Sequence, residues 1–295
     1  MTLTQEQVDF FHENGYLILP RELDSGKVME LFGRTKELLS DFSLEDHPMT
    51  TFSTDETAHV GDDYFLGSSD KVRFFFEGDA FGVDGELLKP KEKAINKIGH
   101  SLHVHDSKFR DATVNGRNKA IAQALGISDA RVLQSMIICK QPEIGGAVPS
   151  HQDSVFLYTD PPSAVGFWYA LEDCTAENGA LSFVPGSHKW AGISKRMVRT
   201  NGASGGTGFI NIEGISTPRE PASEEFVMPE CPAGTLVIIH GSILHKSETN
   251  KSEKSRYAYT FHMIDGSCKY DNKNWLQIPP TDEGGANFTR LYDEA

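Results

Sequence analysis

The sequence predicts a mainly β fold with α-helices, in which an antiparallel sandwich or barrel carries a helical N-terminal part. Residues 1–130 hold the segments with helical spacing of apolar residues, whereas residues 131–265 hold short runs rich in β-branched and aromatic residues. No helical segment separates those runs, which favours antiparallel pairing over a parallel sheet. The 295 residues contain no internal repeat, and we interpret 1–295 as one domain.

The N-terminal elements are predicted by capping signals and periodicity. Thr4 and Gln7 have the spacing of a capping box, and Gly15 ends the helix that they begin. The sequence YLIL that follows is typical of a strand. Apolar residues then repeat with helical period over residues 25–42, which predicts a second helix.

The middle of the chain is predicted to alternate between strand and helix. KVRFFFEG predicts a strand, and residues 91–106 and 115–127 predict helices, the second of which ends at Gly126. The core strands are predicted in RVLQSMIICKQ, AVGFWYAL, ALSFVPGS, GTLVIIHG and RYAYTFHMID. Residues 199–225 have little regular pattern, and we expect a long loop that is functional or disordered.

Composition excludes several classes of partner. The net charge of −14 disfavours nucleic acid and anionic membranes as partners. The four cysteines are far apart and three adjoin apolar sequence, so we expect buried free thiols. We find no signal peptide, membrane-spanning run or address in the C-terminal YDEA, and we expect a cytoplasmic monomer that acts on a small molecule.

The sequence PSHQDSVFLYTD contains a candidate half of a metal site. If this segment is a strand, His151 and Asp153 point to the same face, roughly 6–7 Å apart at Cα. One imidazole and one carboxylate suit Fe(II) or Mn(II) better than a structural zinc. His245, which follows an apolar strand, would complete a two-His-one-carboxylate site with open coordination positions. His240 and His262 are expected to be core or pocket-wall residues.

The last predicted core strand carries a candidate anion-binding group. One face of this strand holds Tyr257, Tyr259, Phe261 and Met263, which we expect to pack on a neighbouring layer. On the other face Arg256 lies among small side chains with His262. Because a buried arginine without a partner is costly, we expect Arg256 to bind a carboxylate of a ligand.

Two further groups of polar residues have less specific patterns. His100, His103 and His105 could form another metal site with Asp106, but we favour surface or capping roles for these histidines. The basic run SKRMVR, residues 194–199, is either a solvated face or a patch that steers an anionic substrate.

These motifs resemble one family. HQD at 151–153, HKS at 245–247 and Arg256 resemble the non-haem Fe(II), 2-oxoglutarate-dependent dioxygenases of the phytanoyl-CoA dioxygenase family, most closely its domain-containing protein 1 subgroup. The runs FHENGYLIL and ENGALSFVPGSHK are also similar to that family, and the resemblance extends over nearly the whole chain. It implies a double-stranded β-helix (jelly-roll) core with supporting N-terminal helices.

The resemblance also implies which residues bind the iron and the co-substrate. His151, Asp153 and His245 would bind Fe(II). Arg256 and Ser247 would hold the distal carboxylate of 2-oxoglutarate. Lys97, Met136 and Trp168 would line the rest of the 2-oxoglutarate pocket.

The implied reaction converts 2-oxoglutarate and O₂ to succinate and CO₂ while a small-molecule or lipid-like substrate is hydroxylated, with ascorbate as a supporting reductant. Related halogenases lack the metal-binding carboxylate, so Asp153 favours hydroxylation. The alternatives are a non-catalytic jelly-roll binding module and a cupin-like metal-dependent isomerase. The identity of the substrate does not follow from the fold.

Overall fold

The computed structural model describes residues 2–52, 62–200, 205–279 and 287–292. The helices are α1 Gln5–Asn14, α2 Ser25–Asp41, α3 Asp63–Leu66, α4 Leu102–His105, α5 Ser107–Thr113, α6 Gly116–Ala124 and α7 Asp153–Phe156. The strands are β1 Tyr16–Leu19, β2 Val72–Phe76, β3 Ile95–His100, β4 Ala130–Lys140, β5 Val148–His151, β6 Val165–Ala170, β7 Leu181–Phe183, β8 Lys195–Thr200, β9 Gly206–Asn211, β10 Leu236–His240, β11 His245–Ser247, β12 Arg256–Asp265 and β13 Thr289–Arg290.

Two antiparallel sheets form the jelly-roll core. The larger sheet has the order β1-β10-β6-β12-β4-β3-β2, with β13 paired to β4, and the smaller sheet has the order β5-β11-β7. Strands β8 and β9 form a separate hairpin. The five predicted core strands are confirmed, and β1, β2 and β3 show that residues 1–130 contribute to the larger sheet as well as supplying helices.

The N-terminal helix begins and ends at the predicted residues. Thr4 accepts a hydrogen bond from the backbone of Gln7, whose side chain accepts one from Thr4 N, so the capping box is complete. Gly15 has φ +82°, the left-handed conformation that glycine adopts with least strain. α1 is thereby stopped directly before β1, which pairs with β10 at the edge of the larger sheet.

Strand β12 divides the interior into two parts. Tyr257, Tyr259, Phe261 and Met263 pack into the main apolar core beneath the helices, as their period of two predicts. The opposite face of β12 points toward the smaller sheet. The space between the two sheets is therefore lined by the polar face of β12, which includes Arg256.

The prediction of a helix over residues 91–106 is wrong for its middle. Residues 91–93 form a 3-10 turn, 95–100 form β3, and only 102–105 are helical. Ile95, Ile98 and Leu102 have the spacing of a helical stripe, but β3 pairs with β2 and β4 on its two sides. Tertiary pairing therefore overrides the local period.

Two of the three histidines of that segment also differ from expectation, whereas His105 is exposed as expected. His100 and His103 are 1% and 0% exposed, so neither is a surface residue. His103 bonds to Ser135 in β4, and His105 bonds to the carbonyl of Asp70. Within the described part of the chain, none of them belongs to a cluster that could hold a metal.

The stretch 199–225 is more regular than its sequence suggests. Its first residues end β8 and its middle contains β9, whose glycines obscure the strand pattern. Residues 201–204, which include part of the predicted glycine-rich loop, lie outside the described residues, as do residues 293–295 of the C-terminal YDEA.

Other expectations from composition are met. Cys139, Cys174 and Cys231 are buried free thiols, and Cys268 is a half-buried one. Among the described helices, none has the length and apolarity needed to cross a membrane.

The basic run at residues 194–199 is structural, not a solvated face. Arg196 is 9% exposed and contacts Asn274 at 2.8 Å and Asp271 at 3.1 Å. Arg199 donates to the carbonyls of Trp275 and Leu66 at 2.6 and 3.1 Å. These two cations tie β8 to the C-terminal segment, so they are not available to steer an anion.

We expect Arg196→Gln to lower the free energy of unfolding by about 1–3 kcal/mol, because Asp271 and Asn274 lose a buried partner. The melting temperature should fall by about 2–8 °C. Thermal unfolding followed by circular dichroism measures this, with the exposed Lys251→Gln as the matched control. An unchanged melting temperature together with selective loss of anionic substrates would restore the steering role.

Candidate functional site: a metal centre in the inter-sheet cavity

Three of the predicted residues form a compact cluster of possible metal ligands. One ligand atom from each of His151, Asp153 and His245 lies within 4.8 Å of the others. Asp153 Oδ1 is 3.5 Å from His151 Nε2 and 3.7 Å from His245 Nε2. Within the described residues it is the one such group of three, and its two imidazoles and carboxylate are a donor set that suits Fe(II).

The two histidines are cross-strand neighbours in the smaller sheet, but Asp153 does not lie on a strand as predicted. His151 ends β5 and pairs directly with His245, which begins β11. Asp153 is the first residue of α7, so the two ligands of the HQD motif do not share a strand face. The convergence comes from a strand-to-helix turn, in which Ser154 N donates to the carbonyl of Gly241 at 2.8 Å.

Backbone carbonyls fix the orientation of both rings. His151 Nδ1 lies 2.9 Å from the carbonyl of Pro149, and His245 Nδ1 lies 3.1 Å from that of Ile243. A carbonyl only accepts, so each Nδ1 carries the proton and each Nε2 lone pair faces Asp153. This is the arrangement in which outer partners orient metal-binding histidines.

The protonation states also suit metal binding. Burial, followed by the proximity of His151, lowers the pKa of His245 to about 4. Burial acts to raise the pKa of Asp153, but the facing His245 and His262 and the close side-chain contacts with His151 and His262 bring it well below its usual value. Near neutral pH His245 is therefore neutral and Asp153 is ionised, the forms in which imidazole and carboxylate side chains bind metals.

One cavity of about 420 Å³ brings together every residue predicted for the site. The larger sheet supplies a row formed by Trp168, Thr260 and Met136, which are direct cross-strand partners. The other predicted residues that line the cavity are His151, Asp153, His245, Lys97, Ser247 and Arg256. The three candidate metal ligands lie on the wall formed by the smaller sheet and α7.

Arg256 is a buried cation whose guanidinium is only partly satisfied. It is 1% exposed, donates from NH2 to Ser247 Oγ at 3.2 Å, and lies 5.4 Å from the centre of the Trp168 ring. Its Nε has no hydrogen-bond partner, and across the described ranges it forms no ion pair with a carboxylate. Ser247 in turn donates to the carbonyl of Gly179. The arrangement leaves room for an anionic ligand beside Arg256.

Lys97 reaches the cavity from β3 and not from the predicted helix. It pairs with Ile138 in β4 and is 8% exposed, and its ammonium lies 3.3 Å from the centre of the Phe52 ring. Among the residues that the structure describes, it has no carboxylate partner within salt-bridge distance. Burial lowers the pKa of Lys97 to about 7, with Asp153 acting in the opposite direction.

Two polar residues of the cavity wall, Gln134 and Glu77, were not predicted from the sequence. Gln134 and His262, opposite each other on β4 and β12, lie behind Asp153. Glu77 is 2% exposed and accepts from Asn96 and the backbone of Gly146, and burial raises its pKa. Period-two alternation could have placed Gln134 on the same face as Met136, but Glu77 lies just past the end of β2, where no period applies.

His262 agrees with its expected place in the pocket wall. Its Nε2 lies 3.2 Å from Asp153 Oδ2. His240, the other histidine expected to be structural, lies at the end of β10 and accepts a hydrogen bond from the backbone of Ser242.

Comparison with known proteins assigns this architecture to a family. The family model for phytanoyl-CoA dioxygenase (PhyH) matches residues 11–258. The chain is 44% identical over 285 residues to "Phytanoyl-CoA dioxygenase domain-containing protein 1" from Bos taurus, which covers 94% of this chain and 96% of the relative. It is 42% identical over 277 residues to "Phytanoyl-CoA dioxygenase" from Arabidopsis thaliana, which covers 94% of each.

Solved structures share the fold at lower identity. The "non-heme alpha ketoglutarate dependent epimerase SnoN from nogalamycin biosynthesis" superposes with a TM-score of 0.64 at 18% identity, over 97% of this chain and 98% of that one. "EctD from S. alaskensis with 2-oxoglutarate and 5-hydroxyectoine" gives 0.59 at 17% identity, over 90% and 78%. The fold is therefore that of non-heme, 2-oxoglutarate-dependent enzymes. With the family model matched over most of its length and relatives above 40% identity, the chain belongs to the phytanoyl-CoA dioxygenase (PhyH) family.

Proposed function

We propose that the protein is an Fe(II)- and 2-oxoglutarate-dependent dioxygenase that hydroxylates a small-molecule or lipid-like substrate. The observation that carries the proposal is a metal-binding cluster in the same cavity as a buried arginine that lacks a carboxylate. An isomerase that uses a divalent metal has no need of a second organic acid, and a binding module has no need of a cluster of three metal ligands.

Iron bound by His151, Asp153 and His245 would supply the oxidative chemistry, in which 2-oxoglutarate and O₂ give succinate and CO₂. The residues of the chain supply orientation and a closed environment. The imidazoles, whose Nδ1 atoms are bound by backbone carbonyls, would direct their Nε2 atoms at the metal, and Asp153 would supply a third, charged ligand. Because this position holds a carboxylate and not a small side chain, hydroxylation is favoured over halogenation.

Arg256 and Ser247 are proposed to hold the distal carboxylate of 2-oxoglutarate. The guanidinium already points at Ser247 Oγ, and its free Nε supplies a further donor for a planar carboxylate. Lys97 adds a second positive charge, while Met136 and Trp168 form the apolar sides of the same pocket. Binding of a dianion would favour the charged forms of both cations, which burial disfavours.

The remaining wall of the cavity indicates a largely apolar substrate. Phe65, Phe156, Met197 and Trp275 line it, and Phe65 stacks on Trp275 at 4.5 Å between ring centres. Such a surface excludes water and binds hydrocarbon or ring faces. Since Arg196 is held by Asp271 and Asn274, it does not support an anionic class of substrate.

The central test is succinate release from 2-oxoglutarate with added Fe(II) and ascorbate, with a metabolite library as the source of substrate. Asp153→Ala should lower release at least about 100-fold, because a charged ligand of the metal is lost. Asp160→Ala, outside the cluster, is the matched control and should keep wild-type turnover. Absence of both coupled and uncoupled turnover in folded wild-type protein would contradict the proposal.

Arg256→Met should raise the KM for 2-oxoglutarate about 100-fold, since the lost charge-assisted hydrogen bonds are worth about 2–3 kcal/mol. Arg256→Lys should not restore it, because an ammonium lacks the planar fork that binds both carboxylate oxygens. Steady-state kinetics at saturating Fe(II) measures both variants, with exposed Arg219→Met as control. An unchanged KM in Arg256→Met would exclude Arg256 from the co-substrate site.

Lys97→Met should stabilise the metal-free protein while weakening 2-oxoglutarate binding. The unfolded chain keeps the proton of this lysine up to about pH 10.5, whereas the folded chain releases it near 7, so the unfolded state binds more protons within that window. Wild-type stability therefore rises with pH from 7 to 10.5 relative to the variant. We expect the variant's higher melting temperature at pH 7 to converge on wild type by pH 10; a constant difference would contradict the reasoning.

A further inference from the structure

The two carboxylate oxygens of Asp153 have different partners. Oδ1 faces the ligand nitrogens of His151 and His245 at 3.5 and 3.7 Å. Oδ2 lies 3.2 Å from Nε2 of His262, which is 7% exposed and comes from the opposite sheet. The contact with His262 thus engages one oxygen and leaves the other directed at the metal position.

His262 is in turn bound by Gln134. Its Nδ1 lies 3.3 Å from Nε2 of the Gln134 side chain, and the two residues are cross-strand partners in β12 and β4. A carboxylate only accepts, so the proton of a neutral His262 is on Nε2 and its Nδ1 must accept. Only the amide NH₂ of Gln134 can donate there, which fixes the amide orientation and leaves Oε1 without a partner.

The ring of His262 is held in place by close packing on the neighbouring strand. Gly166 in β6 lies directly opposite His262, and a Cβ added to Gly166 would lie 3.2 Å from His262 Nε2. The absence of a side chain there lets the imidazole lie close against β6. His262 is therefore enclosed by β4 on one side and β6 on the other, in the centre of the larger sheet.

From these contacts we propose that His262 and Gln134 are positioning residues that hold Asp153 as a one-oxygen metal ligand. They act through Asp153, which otherwise depends on a helix of only four residues, α7. By engaging Oδ2, they keep the carboxylate from turning to present both oxygens, so that the coordination positions needed by 2-oxoglutarate and O₂ stay open. The need to keep coordination positions open rests on the proposed function. The positioning of Asp153 concerns metal binding alone.

The test uses Co(II) as the probe, added to the full-length protein without 2-oxoglutarate or substrate and followed by its visible absorption. His262→Phe should weaken Co(II) binding about 10- to 100-fold, the usual effect of losing an outer partner of a ligand. His262→Gln keeps an amide donor near Asp153 and should stay within about threefold of wild type. His240→Phe, which alters a histidine of the same sheet outside the cavity lining, should also bind as wild type.

Gln134→Leu provides a milder second variant in case His262→Phe does not fold. It leaves His262 in place but removes its donor, and should weaken Co(II) binding by about three- to tenfold. Wild-type affinity in both His262→Phe and Gln134→Leu would overturn the proposal. Equal weakening in His262→Gln and His262→Phe would also overturn it, because shape and not the hydrogen bond would then matter.

The metal readout separates this inference from the enzymatic proposal. If wild-type protein binds Co(II) and the variants weaken it as expected, but no succinate forms with Fe(II), the positioning role stands and the dioxygenase proposal fails. If succinate forms and His262→Phe binds Co(II) as wild type does, the positioning role fails alone.

Discussion

The register of β12 is the constraint on which the rest of the structure depends. This strand is hydrogen-bonded on both sides, to β4 and to β6, and nine of its ten residues are buried. Its apolar face enters the main core, while Arg256, Thr260 and His262 face the cavity. A slip by one residue would turn tyrosine and phenylalanine rings into the cavity and bury the arginine among them. The apolar core therefore fixes the position of Arg256 and of the support behind Asp153.

Burying the cationic side chains of this cavity costs free energy in the folded state. Lys97, Lys140 and Arg256 are all buried, and burial lowers the pKa of each of them. For Lys140 this free-energy cost is partly offset, because its ammonium donates hydrogen bonds to the carbonyls of Gly146 and Glu248. Lys97 and Arg256 have no comparable set of acceptors within the described structure. The difference separates a cation that serves the fold from the two that we propose bind a ligand, since a structural role would have left them satisfied.

Much of this could be predicted from the sequence because strand periodicity is local. The alternation of β12 indicated that Arg256 faces away from the apolar core, and the apolar run before His245 indicated the position of the third candidate ligand. The helix-like spacing of Ile95, Ile98 and Leu102 misled the prediction for Lys97, because the partners of β3 lie elsewhere in the chain. The contact between Gln134 and His262 joins residues 128 apart in sequence, so no local pattern could indicate it.

The glutamine inside the HQD motif explains how a short strand and a short helix can bring two candidate metal ligands together. β5 and α7 have four residues each, too few to be rigid by themselves. Gln152 lies between them, is 4% exposed, and donates from Nε2 to the carbonyls of Ala191 and Ser242, both at 2.7 Å. Its side chain points away from the cluster and anchors the turn at which strand becomes helix. His151 and Asp153 can face one ion because the residue between them is fixed to the surrounding backbone.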